Sequence, residues 1–74
     1  MKCLNDIKTG ECCVIAKVLA DTTLRRRFTD IGLIENTEVE CVGQSPSGDP
    51  KAFLIRGAVI AIRSEDSAKI MVRM

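Results

Sequence analysis

Residues 12–19, Cys-Cys-Val-Ile-Ala-Lys-Val-Leu, are apolar at every position except Lys17 and β-branched at Val14, Ile15 and Val18. A turn at Thr9-Gly10 leads into them. Such a run predicts a strand buried on both faces, with Lys17 marking one outward position. Asp21-Thr22-Thr23 then supplies N-cap chemistry for a short helix. At about 100° per residue, Leu24, Phe28 and Ile31 share one stripe of that helix and form its core-facing side. Arg25 and Arg27 flank the stripe, where their aliphatic stems can lie over the core edge. Arg26 points away from the core, with Asp30 one turn further on as an ion-pair partner in the weaker helical orientation. Gly32 is placed to be the left-handed cap that ends the helix.

The period then changes from helical to alternating. Thr37, Val39 and Cys41 form an inward set, and Glu38 and Glu40 lie outside. Ser45-Pro46-Ser47-Gly48-Asp49-Pro50 is dense in turn formers. Two strands follow, residues 51–56 and 58–63, with Gly57 at a tight hairpin between them. Ser64-Glu65-Asp66-Ser67 reads as a single helical turn with its acids at the favourable amino end. A last strand over residues 69–74 buries Ile70, Val72 and Met74.

There are no repeats, linkers or low-complexity tracts. About five short strands, with one helix after the first, predict an all-β domain whose small, strongly bent sheet closes into a barrel. Closure hides strand edges that would otherwise invite aggregation. With 74 residues, 1–74 is a single domain near the lower limit for a core stable without staples. That core must be aliphatic, because Phe28 and Phe53 are the only aromatic residues.

Charge and cysteine content narrow the function. Eleven basic against ten acidic residues lack the basic excess of a generic nucleic-acid binder. No apolar run approaches the roughly 18 residues needed to cross a bilayer, and the amino terminus lacks a secretory apolar region. The expectation is a cytoplasmic protein without direct membrane insertion. Cys3, Cys12, Cys13 and Cys41 include no C-x-x-C pair, and the chain has no histidine. Structural zinc sites pair ligands about two to four residues apart, whereas Cys12 and Cys13 would point to opposite faces of a strand. The four read as small buried hydrophobes, with no metal site and no cofactor expected.

The ordered blocks carry a resemblance. Gly10 before an apolar strand, Arg25-Arg26-Arg27-Phe28-Thr29-Asp30-Ile31-Gly32-Leu33, the Pro46 to Pro50 loop, and Ala61-Ile62-Arg63 with Ala68 and Ile70 together resemble the ferrous-iron transport protein A (FeoA) family. The match covers nearly the whole chain. It implies an SH3-like β-barrel and an accessory role for the ferrous-iron permease FeoB, which carries a GTP-binding domain. One departure is visible: Glu35-Asn36 stands where the family usually has a Pro-Gly turn. Asn tolerates the left-handed conformation second only to Gly, so Asn36 joins Gly32 and Gly57 as a structural turn residue.

The candidate partner-binding residues are Arg25, Arg26, Arg27 and Asp30 on the helix, and Pro46, Ser47, Gly48 and Asp49 in the loop. Guanidinium suits carboxylate and phosphate recognition, and Arg26 leads because packing does not claim it. The plainer readings are a solvated helix face and a rigid connector loop. Arg56 and Arg63, which bracket the hairpin, are assigned to barrel faces. A proline-rich ligand is disfavoured, since its groove needs aromatic walls.

An enzyme is the least favoured class, since the chain has no histidine and no glycine-rich phosphate loop, and nothing in it marks an activated cysteine. Ferrous iron prefers imidazole and carboxylate ligands at open sites, and no such cluster is evident. The alternative functions are a nucleic-acid-binding barrel or an iron-dependent repressor-like regulatory module. Balanced charge and missing stacking aromatics argue against the first. No DNA-binding region precedes the barrel, which argues against the second.

Overall fold

The computed structural model describes residues 2–74. Its strands are β1 (Lys2–Cys3), β2 (Cys12–Val18), β3 (Glu38–Gln44), β4 (Lys51–Ile55), β5 (Ala58–Ile62) and β6 (Ile70–Arg73). Helix α1 (Thr22–Asp30) joins β2 to β3, the one-turn α2 (Ser64–Ser67) joins β5 to β6, and a 3-10 turn (Leu4–Asp6) follows β1. All pairings are antiparallel, in the order β1-β6-β2-β3-β4-β5.

Local chemistry explains the turns. Arg56 (φ 50) and Gly57 (φ 84) form a two-residue connection between β4 and β5. Positive φ at both central residues is the hairpin geometry whose twist matches that of the strands. Asp6 closes a reciprocal cap on the 3-10 turn: its carboxylate accepts the Cys3 amide at 3.2 Å and the Cys3 thiol at 3.4 Å. The amide bond foremost, then the thiol, holds the Asp6 carboxyl below its ordinary range.

Phe53 lies at the centre of the core, with Leu4, Ile7, Ile15, Ile55 and Ile70 fully buried with it. Bulges interrupt β2 between Ile15 and Lys17 and β3 between Cys41 and Gly43. Bulges bend a strand and increase its twist, and the sheet curves until its distant parts meet. Lys51, at the start of β4, donates through Nζ to the carbonyls of Asn5 (2.7 Å) and Ile7 (3.1 Å), in the segment that follows β1.

Several expectations need correction. The first strand is not buried on both faces. Cys13, Ile15 and Val18 point inward, whereas Cys12 is exposed and Val14 and Ala16 are half-buried, because one face of this antiparallel sheet meets solvent. The described strands number six, since Lys2–Cys3 pairs with β6; two residues are too few to show a period. Met74 lies beyond β6 and is 63% exposed. Ile31 is the helix C-cap and is 37% exposed, and Leu33 enters the core instead. Gly32, at φ 91, turns the chain between them. Of the four free cysteines only Cys13 and Cys41 are buried.

Candidate partner-binding surface

Helix α1 is fixed at both ends by its own sequence. Asp21 accepts the Leu24 amide at 2.8 Å as N-cap. At the far end Leu33 N–H donates to the Phe28 carbonyl (2.8 Å) and Gly32 N–H to that of Thr29 (3.1 Å). These two bonds, around a residue of positive φ, make a Schellman termination. They also bring Leu33 and Phe28 into the same apolar cluster.

The three arginines of this helix have different surroundings. Arg25 Nη2 donates to the Val18 carbonyl at 2.7 Å, tying α1 to the end of β2. Arg26 is exposed. Arg27 is also exposed and lines a groove of about 590 Å³ between α1 and β5. Sequence reasoning left only Arg26 free of structural duty. Among the described residues, however, neither the Arg26 nor the Arg27 side chain has an ion-pair or hydrogen-bond partner. The expected Arg26–Asp30 pair does not form, and the one ion pair among the described residues is Arg63–Glu65 at 3.9 Å, exposed and worth little. Asp30 occupies the last helical position, where the partial negative charge of the helix end disfavours a carboxylate.

The loop after β3 is internally braced. Ser45 Oγ (2.7 Å) and Ser47 Oγ (3.1 Å) both donate to the Asp49 carbonyl, and the Gly48 amide donates to the Ser45 carbonyl at 2.8 Å. The Asp49 carboxylate accepts the Ser64 amide (2.8 Å) and hydroxyl (3.0 Å), so it caps α2 from across the fold. Pro46 and Ser47 stay exposed at the tip. The structure does not gather the loop and the arginines into one site. It links the loop through Ser64 to α2, and α2 borders the groove that Arg27 lines.

That groove was missed in the sequence. Phe28, Ile31, Ile60 and Ile62 supply its apolar lining, and Arg27, Arg63, Glu65 and Asp66 its charged rim. Arg63 thus belongs to a groove and not simply to a barrel face. The stem of Arg56 lies over Gly32, where an added Cβ would sit 3.0 Å from Arg56 Cδ. The available signal was the unbroken apolar run of β5, which reads equally as core until its place at the sheet edge is known.

Burial pushes the Cys13 thiol up to about 11, from an ordinary 9.0, so it is a poor nucleophile near neutrality. Among the described residues no three Cys, Asp or Glu side chains are grouped to hold a metal ion. No helix is long and apolar enough to cross a membrane.

The curved antiparallel sheet, with its short inserted helix and charged outer surface, defines an SH3-like all-β domain. The zinc complex of FeoA from Stenotrophomonas maltophilia, described as a prokaryotic SH3 domain protein, shares the fold with a TM-score of 0.85 at 21% identity, over 97% of this chain and 89% of that one. The chain belongs to the FeoA family, whose FeoA domain matches residues 2–74. The solution structure of FeoA from Chlorobium tepidum matches with a TM-score of 0.92 at 26% identity, over 99% of this chain and 70% of that one. A Porphyromonas gingivalis protein, an Fe(2+) transport protein A/Fe(2+) transporter FeoB fusion, is 30% identical over 71 residues. That match covers 96% of this chain but only 8% of the fusion protein's length. The family is a small transport-associated domain and not a known enzyme family.

Proposed function

We propose that this protein is a non-enzymatic, cytoplasmic accessory protein of ferrous-iron uptake that binds the cytoplasmic part of a FeoB-type permease and is recruited by it to the membrane. The observation that carries this reading is the relative in which both proteins form one polypeptide. Covalent linkage keeps two modules at high effective concentration, which serves partners that work together. The unpaired guanidinium groups of Arg26 and Arg27 support the reading. They can meet carboxylates on a partner without first breaking an internal contact.

Arg26→Glu tests it. Binding of the purified cytoplasmic part of the permease is measured at low salt by calorimetry. Reversing an exposed interface charge should weaken binding by about three- to tenfold and flatten its salt dependence. The melting temperature should move little, because the Arg26 side chain makes no hydrogen bond or ion pair among the described residues. Absence of binding by the unmodified protein would refute the partnership. Unchanged affinity of the variant would remove Arg26 from the interface.

A further inference from the structure

Strand β5 ends the sheet and pairs only with β4 among the described residues. The two-residue turn at Arg56-Gly57 makes Ile55 and Ala58 the closing hydrogen-bonded pair of the hairpin. Alternation then assigns the amides and carbonyls of Ala58, Ile60 and Ile62 to β4. Those of Val59 and Ala61 point to the open edge. No other described backbone bond reaches Val59 or Ala61.

Natural edge strands are usually blunted by lysine, proline, a bulge or shortness. At the other end of the sheet, β1 has only two residues and begins with Lys2. β5 has none of these devices: it is Ala-Val-Ile-Ala-Ile, paired to β4 in continuous register. Val59 is 65% exposed. Beside the edge runs the groove bounded by α1, with Phe28, Ile31 and Ile60 in its lining and unpaired Arg27 on its rim.

The geometry points to β5 as a docking edge. An extended segment of the partner protein adds to Val59–Ala61 as a further antiparallel or parallel strand. It lays alternate apolar side chains in the groove and sets a carboxylate against Arg27. Main-chain hydrogen bonds supply affinity in such strand addition, and pockets for alternate side chains supply specificity. A second copy of this chain fits less well. Isologous pairing would bring the other copy's α1 and sheet into a groove with room for one strand. Identifying the partner as the permease rests on the function proposed above.

The test uses the full chain and the purified cytoplasmic part of the permease. Amide hydrogen exchange is followed by NMR, and affinity is measured for the unmodified protein, Ala61→Pro and Arg27→Glu. In the complex, exchange at Val59 and Ala61 should slow. Ala61→Pro removes one outward donor that β4 does not use and should weaken binding about tenfold or more. Arg27→Glu should weaken it about three- to tenfold without changing the melting temperature. If the permease binds but both variants bind equally well and the two amides exchange as in the free protein, the docking edge is wrong and the partnership stands. If the unmodified protein does not bind the permease, both proposals fall. Protection of Val59 and Ala61 in the free protein that grows with its own concentration assigns the edge to a second copy and overturns this inference. Should Ala61→Pro fail to fold, amide exchange in the unmodified complex and the Arg27→Glu affinity decide the matter.

Discussion

Replacing Lys51 by Met removes the cation that joins the start of β4 to the segment after β1. The ammonium donates to two carbonyls, Asn5 at 2.7 Å and Ile7 at 3.1 Å, and is half-buried. A hydrogen bond to a charged group contributes about 1.5–3 kcal/mol. Two such bonds, discounted for partial solvent access, suggest a loss of about 2–4 kcal/mol. Stability of about 0.05–0.15 kcal/mol per residue gives a 74-residue domain roughly 4–11 kcal/mol in all. The change is therefore large, about 8–32 °C in melting temperature at the 4–8 °C per kcal/mol typical of small domains. The chain has no Trp or Tyr, so unfolding is best followed by far-ultraviolet circular dichroism in urea and on heating. Lys17→Met is the matched control, because Lys17 is exposed on β2 and its loss changes net charge equally. If the two variants differ by less than about 0.5 kcal/mol, within the usual range of surface substitutions, Lys51 does not hold the ends of the sheet together.

Three further outcomes can be checked on the isolated protein. Gly32→Ala should lower stability in urea by about 1–2 kcal/mol, because a Cβ is disfavoured at φ 91 and meets Arg56 Cδ; a loss below about 0.5 kcal/mol refutes the left-handed cap. Asp49→Ala removes both bonds to Ser64 and should cost about 1–2 kcal/mol, with faster amide exchange at Ser64; unchanged exchange there refutes the capping role. Cys13 makes stability depend on alkaline pH. Its folded pKa is raised from 9.0 to about 11, so its contribution is complete below pH 9 and is lost as pH rises through about 11. The loss is about 2–3 kcal/mol at about 1.4 kcal/mol per unit, and Cys13→Ala should flatten the profile in that window.

Legibility followed the strength of the local signal. The alternation from Thr37 to Cys41 predicted the inward set correctly, since each residue's face depends only on its neighbours. The N-cap at Asp21 and the single turn at Ser64–Ser67 were readable for the same reason. Leu33 takes the core place expected of Ile31 because helical phase ceases to apply once Gly32 reverses the chain. The apolar run of β2 was read as buried on both sides because alternation is nearly invisible when every residue but Lys17 is apolar. The functional surface was the least legible part. That Arg25 is held by Val18 and Arg27 borders β5 depends on contacts between elements, which no spacing along the chain encodes. The family resemblance came from the order of the blocks, and it placed the fold more securely than any one block could.

The bulge in β2 bears on how such sequences diverge. Ala16 is the extra residue, without a Cα partner in β6, and around it the inward positions change from odd, Cys13 and Ile15, to even, Val18. Ala16 itself should accept many replacements. Losing it would leave Ile15, Lys17 and Val18 opposite Val72, Met71 and Ile70 in plain alternation, so the faces would be kept and the local bend lost. Selection at this point acts on the curvature of the strand more than on the type of the extra residue. Diverged relatives that curve the sheet in the same way should keep this extra residue, even where few identities survive.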